Sequence, residues 1–147
     1  MSYKYGNETV NIQENNGNSC FIDYIEKEIE AYRWVFNDIN DPKNFIPLAK
    51  DPQCSSARRK CGGWALSFHL TEDASIEMWQ KLNDIKPNQY KKIGTHIAKG
   101  QVSKSDGKCS ETDEESHFNL IEYENVDLQT KFKIVKQIVS DEIMASL

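Results

Sequence analysis

The chain lacks any long apolar run. No stretch approaches the 18 or so continuous apolar residues that a transmembrane helix needs, so the sequence predicts no membrane span and no membrane partner. The first residues, Met1 to Glu8, also lack the apolar segment that a signal peptide requires. Both absences predict a soluble protein of the cytoplasm.

Closely spaced cysteines are missing as well. The nearest two of the four cysteines, Cys54 and Cys61, are seven residues apart, and Cys20 and Cys109 lie farther away. A structural zinc site normally has two ligands within a few residues, so the spacing predicts no metal site. In a chain without an export signal, we expect all four cysteines to be free thiols.

Basic charge is scarce. The chain has 23 acidic and 18 basic residues, a net charge of -5, and one run of three basic residues, Arg58-Arg59-Lys60. An acidic protein holds a polyanion poorly unless its basic residues are segregated on one face. The composition therefore argues against a nucleic-acid partner.

What is present is the composition of one globular domain. Apolar residues make up 38% of the 147 residues, and three Trp, six Tyr and six Phe supply material for a core. Residues 1–19 are polar and predict a flexible N-terminal arm. Residues 20–147 then predict a single α+β domain, in which the charged segment 103–116 is a solvated acidic loop.

The spacing of apolar residues locates the elements. Trp64, Leu66, Phe68 and Leu70 alternate with smaller or polar residues, which is the period of a strand. Thr71 is placed to cap a following helix, which Pro87 cannot continue. Similar patterns predict a helix over 21–36 and strands at 94–100 and 117–124. Residues 131–139 fit a strand and a helix equally well, and we favour a strand near 131–137 followed by a short terminal helix.

The two principal helices each carry one apolar stripe. The first stripe comprises Ile22, Ile25, Ile29, Tyr32 and Phe36, and the second comprises Ala74, Met78, Trp79, Leu82 and Ile85. Residues 40–63 between the first helix and the first strand form a long irregular connection, and such loops are often functional. The expected fold is α+β, with a mixed or antiparallel sheet of about three to five strands covered by two principal helices.

Small residues frame a histidine on each of two predicted strands. The second face of one strand carries Ala65, Ser67 and His69, and the matching face of the other carries Gly94, His96 and Ala98. This pattern fits the floor of a shallow pocket. It also fits a helix packed closely against the sheet, and we favour the packing interpretation.

Two short motifs resemble those of known enzyme families. The tripeptide His69-Leu70-Thr71 resembles the His-x-Thr motif of two-histidine phosphoesterases. That resemblance implies an acid or base role for His69 and a phosphate contact for Thr71. The family has two copies of the motif, and neither His96-Ile97-Ala98 nor His117-Phe118-Asn119 has the hydroxyl.

The second motif is Glu122-Tyr123-Glu124, which is similar to the Glu-x-Glu motif of arginine-directed ADP-ribosyltransferases. The resemblance implies NAD as substrate, with Glu124 orienting the nicotinamide ribose and Glu122 engaging the acceptor. These enzymes also have an Arg on an early element and a Ser on a central strand, and Arg33 and Ser67 occur in that order. Two carboxylates two residues apart on a strand more often mark a solvated strand edge, and we favour that interpretation.

The incomplete catalytic set favours a binding function. We expect a small acidic binding or regulatory protein, such as an inhibitor, antitoxin or immunity-type partner, which binds another protein without a cofactor. The alternative is an enzyme, either ADP-ribosyltransferase-like with NAD or a phosphoesterase. Its catalytic residues would be Ser67, His69, His96, Glu122 and Glu124. The sequence leaves catalysis and the oligomeric state open.

Overall fold

One antiparallel sheet of six strands organises the protein in the computed structural model, which describes residues 2–16 and 19–147. The strands lie side by side in the order β4-β5-β2-β1-β3-β6, and every neighbouring pair is antiparallel. In chain order they are β1 (Ile29–Val35), β2 (Leu66–His69), β3 (His96–Val102), β4 (Gly107–Cys109), β5 (His117–Glu122) and β6 (Phe132–Gln137).

The helices are few and mostly short. They are α1 (Gly6–Asn16), α2 (Glu72–Ile85), α3 (Tyr90–Ile93) and α4 (Asp141–Ser146). Single 3₁₀ turns occupy Pro42–Phe45, Leu48–Lys50, Ala57–Arg59, Cys61–Trp64 and Leu128–Lys131. Within the described ranges, no helix combines the length and apolarity that crossing a bilayer would demand.

The predicted fold class, a sheet of three to five strands covered by two principal helices, is wrong. The predicted helix over 21–36 is replaced by strand β1, which pairs with β3 from Ile29↔Val102 to Val35↔His96. The segment fits either period: Ile29, Tyr32 and Phe36 recur as on a helix, whereas Ile29, Ala31 and Val35 share one face of a strand. A seven-residue ladder with β3 and a content of β-branched and aromatic residues favour the strand.

Helix α2 forms as predicted but does not cover the core. Thr71 caps it by accepting a hydrogen bond from the backbone N–H of Ala74 (3.1 Å), and the helix ends at Ile85, before Pro87. Ser75 is its one fully buried residue, and Ile85 is 80% exposed. The apolar stripe of α2 is therefore only partly buried, and none of its residues belongs to the main core cluster.

Irregular segments cover the main core instead. Ile39, Phe45 and Val126 pack against it, and the aromatic rings of Phe68 and Phe118 stack at 5.5 Å inside it. The fully buried members come from five strands and the 3₁₀ turn at residues 128–131; they are Ala31, Val35, Leu66, Phe68, Ala98, Val102, Cys109, Phe118, Leu120 and Leu128. A smaller cluster joins α1 to the long connection through Ile12, Ala49, Ala57 and Trp64.

Strands β2, β3, β5 and β6 and the terminal helix α4 confirm the corresponding predictions. The segment expected to be a solvated acidic loop contains β4, and its Asp106 is buried and paired with Lys131. Most of the expected N-terminal arm is helix α1, while Met1, Gly17 and Asn18 lie outside the described residues. The domain boundary at residue 19 stays a prediction.

The expectation of four free thiols is also wrong. Cys20 and Cys61 form a disulfide, with their Cα atoms 5.5 Å apart, while Cys54 and Cys109 are free. The two bonded cysteines are 41 residues apart in sequence, so no local spacing announces the bond. It fastens the segment after α1 to the 3₁₀ turn Cys61–Trp64.

We expect the disulfide to stabilise the protein by about 4 kcal/mol, because closing a loop of this length lowers the conformational entropy of the unfolded chain. Alkylation of the unreduced, unfolded protein should label two cysteines, and urea unfolding of Cys61→Ser should show the lower stability. The free Cys54→Ser variant is the matched control and should remain close to the parent. Four labelled cysteines would contradict the bond.

Candidate functional site

A cleft of about 490 Å³ lies where β1 and β2 separate. The two strands pair at one position, Tyr32↔His69. Beyond that pair the chain leaves β1, runs through the long connection at residues 36–65, and returns as β2. The volume of the cleft falls in the range of ordinary ligand sites.

The cleft has a floor of strand residues and walls of connecting segments. Arg33, Trp34, Ser67 and His69 line the floor, and the walls come from residues 36–65 and from Lys92 and Ile93 of α3. Four lining side chains are those of Arg or Lys: Arg33, Lys43, Lys60 and Lys92. No Asp or Glu of the described chain lines it. The cleft is thus a basic site in a protein whose net charge is -5.

Arg33 spans the gap between the separated strands. Its Nε donates to the carbonyl of Asn44 (2.8 Å), and its Nη1 donates to the carbonyl of Ser67 (2.9 Å). The guanidinium also lies over the ring of Phe68, 5.6 Å from its centroid. Burial lowers the pKa of Arg33 to about 10, so the group is still charged at neutral pH. Its Nη2 makes no hydrogen bond with a described residue and can serve a ligand.

Asn44 fixes the wall opposite the strands. It is 2% exposed; its Oδ1 accepts from the N–H of Phe36 (2.8 Å), and its Nδ2 donates to the carbonyl of Asp38 (2.8 Å). Because one buried amide side chain satisfies both ends of the turn, the connection leaves β1 in a fixed direction.

His69 is a neutral imidazole at the end of the cleft. It is 3% exposed, its ring centroid lies 5.4 Å from that of Trp34 and 5.5 Å from that of His117, and its Nε2 has no hydrogen-bond partner. Burial lowers the pKa of His69 to about 4, and repulsion from His117 adds to the effect. His117 itself is held by Asp113, with Nδ1 and Oδ2 3.3 Å apart.

Two of the five residues proposed for catalysis line this cleft, Ser67 and His69. His96 does not line it; this residue pairs with Val35, whereas His69 pairs with Tyr32. Residues 32 and 35 of one strand point to opposite faces, so the two histidines lie on opposite sides of the sheet. The Nδ1 of His96 lies 2.8 Å from the Thr95 hydroxyl in a hydrogen bond.

The two glutamates also lie outside the cleft. Glu122, which the sequence suggested would reach solvent, is 2% exposed and pairs with Lys4 at 2.7 Å. Burial raises its pKa, while the Lys4 ammonium opposes the rise. Glu124 follows β5 and is exposed. The structure does join Arg33 and Ser67, the other two residues of the ADP-ribosyltransferase resemblance, but without either glutamate in the cleft.

The sequence contained one signal for this site, the long irregular connection at 40–63. It did not reveal Asn44 or the three lysines as a group, since no motif unites residues 43, 60 and 92. The described residues contain no cluster of three or more His, Cys, Asp or Glu placed to hold a metal ion. No family model, curated protein or solved structure matches the chain, so function must be argued from the cleft.

We expect His69 to make folding sensitive to acid. The unfolded imidazole binds a proton below about pH 6.5, whereas the folded one binds it only near pH 4, so stability is present above pH 6.5 and falls toward pH 4. The full effect is on the order of 2 to 3 kcal/mol. Urea unfolding from pH 7 to 4 should show this loss in the parent.

The matched variant for this experiment is His69→Gln, which cannot titrate. The pH dependence of the parent minus that of the variant isolates His69, because His96, whose pKa burial also lowers, contributes to both. Identical pH profiles for the two proteins would contradict the assignment.

We expect Lys4→Met to destabilise the protein by about 2 to 4 kcal/mol at pH 7, since it leaves the Glu122 carboxylate buried without its cation. The loss should shrink at pH 5, because the unpaired carboxyl takes up a proton in the folded state. The double variant Lys4→Met, Glu122→Gln should recover most of the stability in urea unfolding. A loss that is equal at both pH values would show that Lys4 acts through packing alone.

Proposed function

We propose that this chain is a non-catalytic binding protein whose cleft between β1 and β2 receives part of another protein. The observation that carries the proposal is the combination of an open cleft with exposed apolar side chains at its wall. Leu48 is 60% exposed and Ile46 is 41% exposed, and both line the cleft. Aliphatic side chains beside a concave site are what a partner would bury on docking.

The rigidity of the walls supports this proposal. Asn44 fixes the start of the connection, and Arg33 ties β1 to β2 across the gap. The Cys20–Cys61 disulfide restrains the other end of the connection, where Lys60 and Gly62 line the cleft. A site held in shape before binding loses less conformational entropy when the partner docks.

The enzyme alternative has one observation in its favour. Arg33 and Ser67 meet at the cleft as the resemblance to ADP-ribosyltransferases would require. Against it, Glu122 is buried and paired with Lys4, and neither Glu124 nor His96 lines the cleft. A hydrolase or transferase would need a base or acid near the reacting atoms, and apart from the three lysines neutral His69 is the candidate among the described lining residues.

The expected cytoplasmic location stays a proposal. The four free thiols were expected as a consequence of that location, and the Cys20–Cys61 disulfide contradicts this consequence. Disulfides form and persist mainly in oxidising compartments. The location is tested by alkylating the thiols in cells of the source organism before lysis. A Cys20–Cys61 pair found bonded indicates an oxidising compartment, and a reduced pair indicates the cytoplasm.

Site-specific crosslinking tests the binding function. A photoreactive amino acid at position 48 should crosslink one discrete protein in cells of the source organism, whereas the same group at Ile22, which is 78% exposed and outside the cleft, should not. The identified protein is then purified and its Kd measured by calorimetry. Leu48→Ser should weaken binding at least tenfold, because the contact lies in the interface, and Ile22→Ser should leave it unchanged.

Two results would overturn the proposal. One is a purified partner that binds the parent and Leu48→Ser equally well. The other is an activity on NAD or a phosphodiester that the purified chain shows and Ser67→Ala abolishes at unchanged stability.

A further inference from the structure

We infer that the cleft recognises an acidic segment of the partner protein, in which carboxylate side chains flank an aliphatic or aromatic residue. The inference rests on the proposed binding function and adds the chemistry of what is bound. Three features of the cleft carry it: unpaired lysines around it, a guanidinium at its floor, and apolar side chains in its wall.

Three lysines line the cleft. Lys43, Lys60 and Lys92 are exposed at the cleft, and none of them forms an ion pair with another described residue. Elsewhere the surface carries an excess of carboxylates, since the whole chain has a net charge of -5. Grouping unpaired cations in a concave site produces a local positive potential, which attracts and orients an anionic partner.

The floor supplies hydrogen bonds. Arg33 is held by Asn44 and Ser67 through Nε and Nη1, which leaves Nη2 facing no described acceptor. A carboxylate in the cleft accepts hydrogen bonds from a guanidinium in a charge-assisted and directional way. His69, which also lines the cleft, is 3% exposed, and its buried Nε2 has no hydrogen-bond partner. A buried polar atom without a partner calls for an explanation, and a bound ligand group would supply one.

The wall separates an acidic peptide from other anions. Ile46, Leu48 and Ile93 offer aliphatic surface in the same cleft as the lysines. A polynucleotide would carry a charge at every phosphate and would meet the acidic surface wherever it left the cleft. A peptide can present one or two carboxylates to Arg33 and the lysines, bury an apolar side chain on Leu48, and be neutral elsewhere.

Labelled peptides test the inference directly. Four fluorescein-labelled 12-residue peptides are compared. The first, the acidic apolar peptide, combines Asp and Glu with Leu and Trp. The second and third replace its acidic residues by Asn and Gln or by Lys and Arg, and the fourth keeps the acidic residues but replaces Leu and Trp by Ser and Gly. A labelled 12-nucleotide oligo-dT is the fifth probe. By fluorescence anisotropy at 50 mM salt, the acidic apolar peptide should bind at least tenfold more tightly than each of the others, and 300 mM salt should weaken it.

Charge-reversal variants locate the site. Lys43→Glu, Lys60→Glu and Lys92→Glu combined should reduce the affinity for the acidic apolar peptide at least tenfold. The control combines Lys81→Glu, Lys133→Glu and Lys136→Glu, which are exposed lysines outside the cleft, and changes the net charge equally. Circular dichroism checks that both triple variants are folded. If the cleft triple variant is unfolded, the single variant Lys92→Glu replaces it.

The outcomes separate this inference from the binding function. Equal loss in the control triple, equal binding of the neutral or basic peptide, tighter binding of oligo-dT, or no binding of the acidic apolar peptide overturns the acidic specificity. If the protein crosslinked through position 48 nevertheless docks there, the binding function stands without it. If the peptide binds through the three lysines but no protein docks at Leu48, the acidic specificity stands and the binding function fails.

Discussion

The sheet depends on a single junction between its two halves. Strands β4, β5 and β2 form one half, and β1, β3 and β6 form the other, and they meet through one residue pair, Tyr32↔His69. Arg33 reinforces that junction with its hydrogen bond to the Ser67 carbonyl. Because the strands separate immediately beyond this pair, the same junction that completes the sheet also opens the cleft. Fold and candidate site are therefore one structural feature.

Buried charge is the second constraint on this protein. Arg33 in the floor of the cleft and Glu122 at the end of β5 are ionisable side chains on the core face of the sheet, and each is held by a definite partner. Lys4, near the start of the chain, supplies the cation for Glu122, and Tyr3 stacks on Tyr123 beside it, so the N-terminal segment is fastened to β5. Leaving such groups without partners costs more than the pairs themselves contribute. This is why the N-terminal segment is ordered where composition alone indicated a loose arm.

The predictable parts of the fold were those with short-range causes. The alternation around Leu66 and Phe68, the cap at Thr71 and the stop before Pro87 each depend on residues within a turn or a strand. The helix predicted over 21–36 failed because its apolar residues fit two periods, and only pairing with β3 selects one. For the candidate site, Ser67 and His69 were found through their strand, whereas His96 was assigned to the same face without knowledge of the register.

The sequence by itself determined the positions of most strands, of α2 and of α4, since backbone geometry and local capping follow from neighbouring residues. Tertiary structure alone decided the identity of β1, the Cys20–Cys61 disulfide and the grouping of Lys43, Lys60 and Lys92 around Arg33. These features join residues that are tens of positions apart. Their proximity depends on how the strands pair and where the long connection packs, which no local pattern encodes.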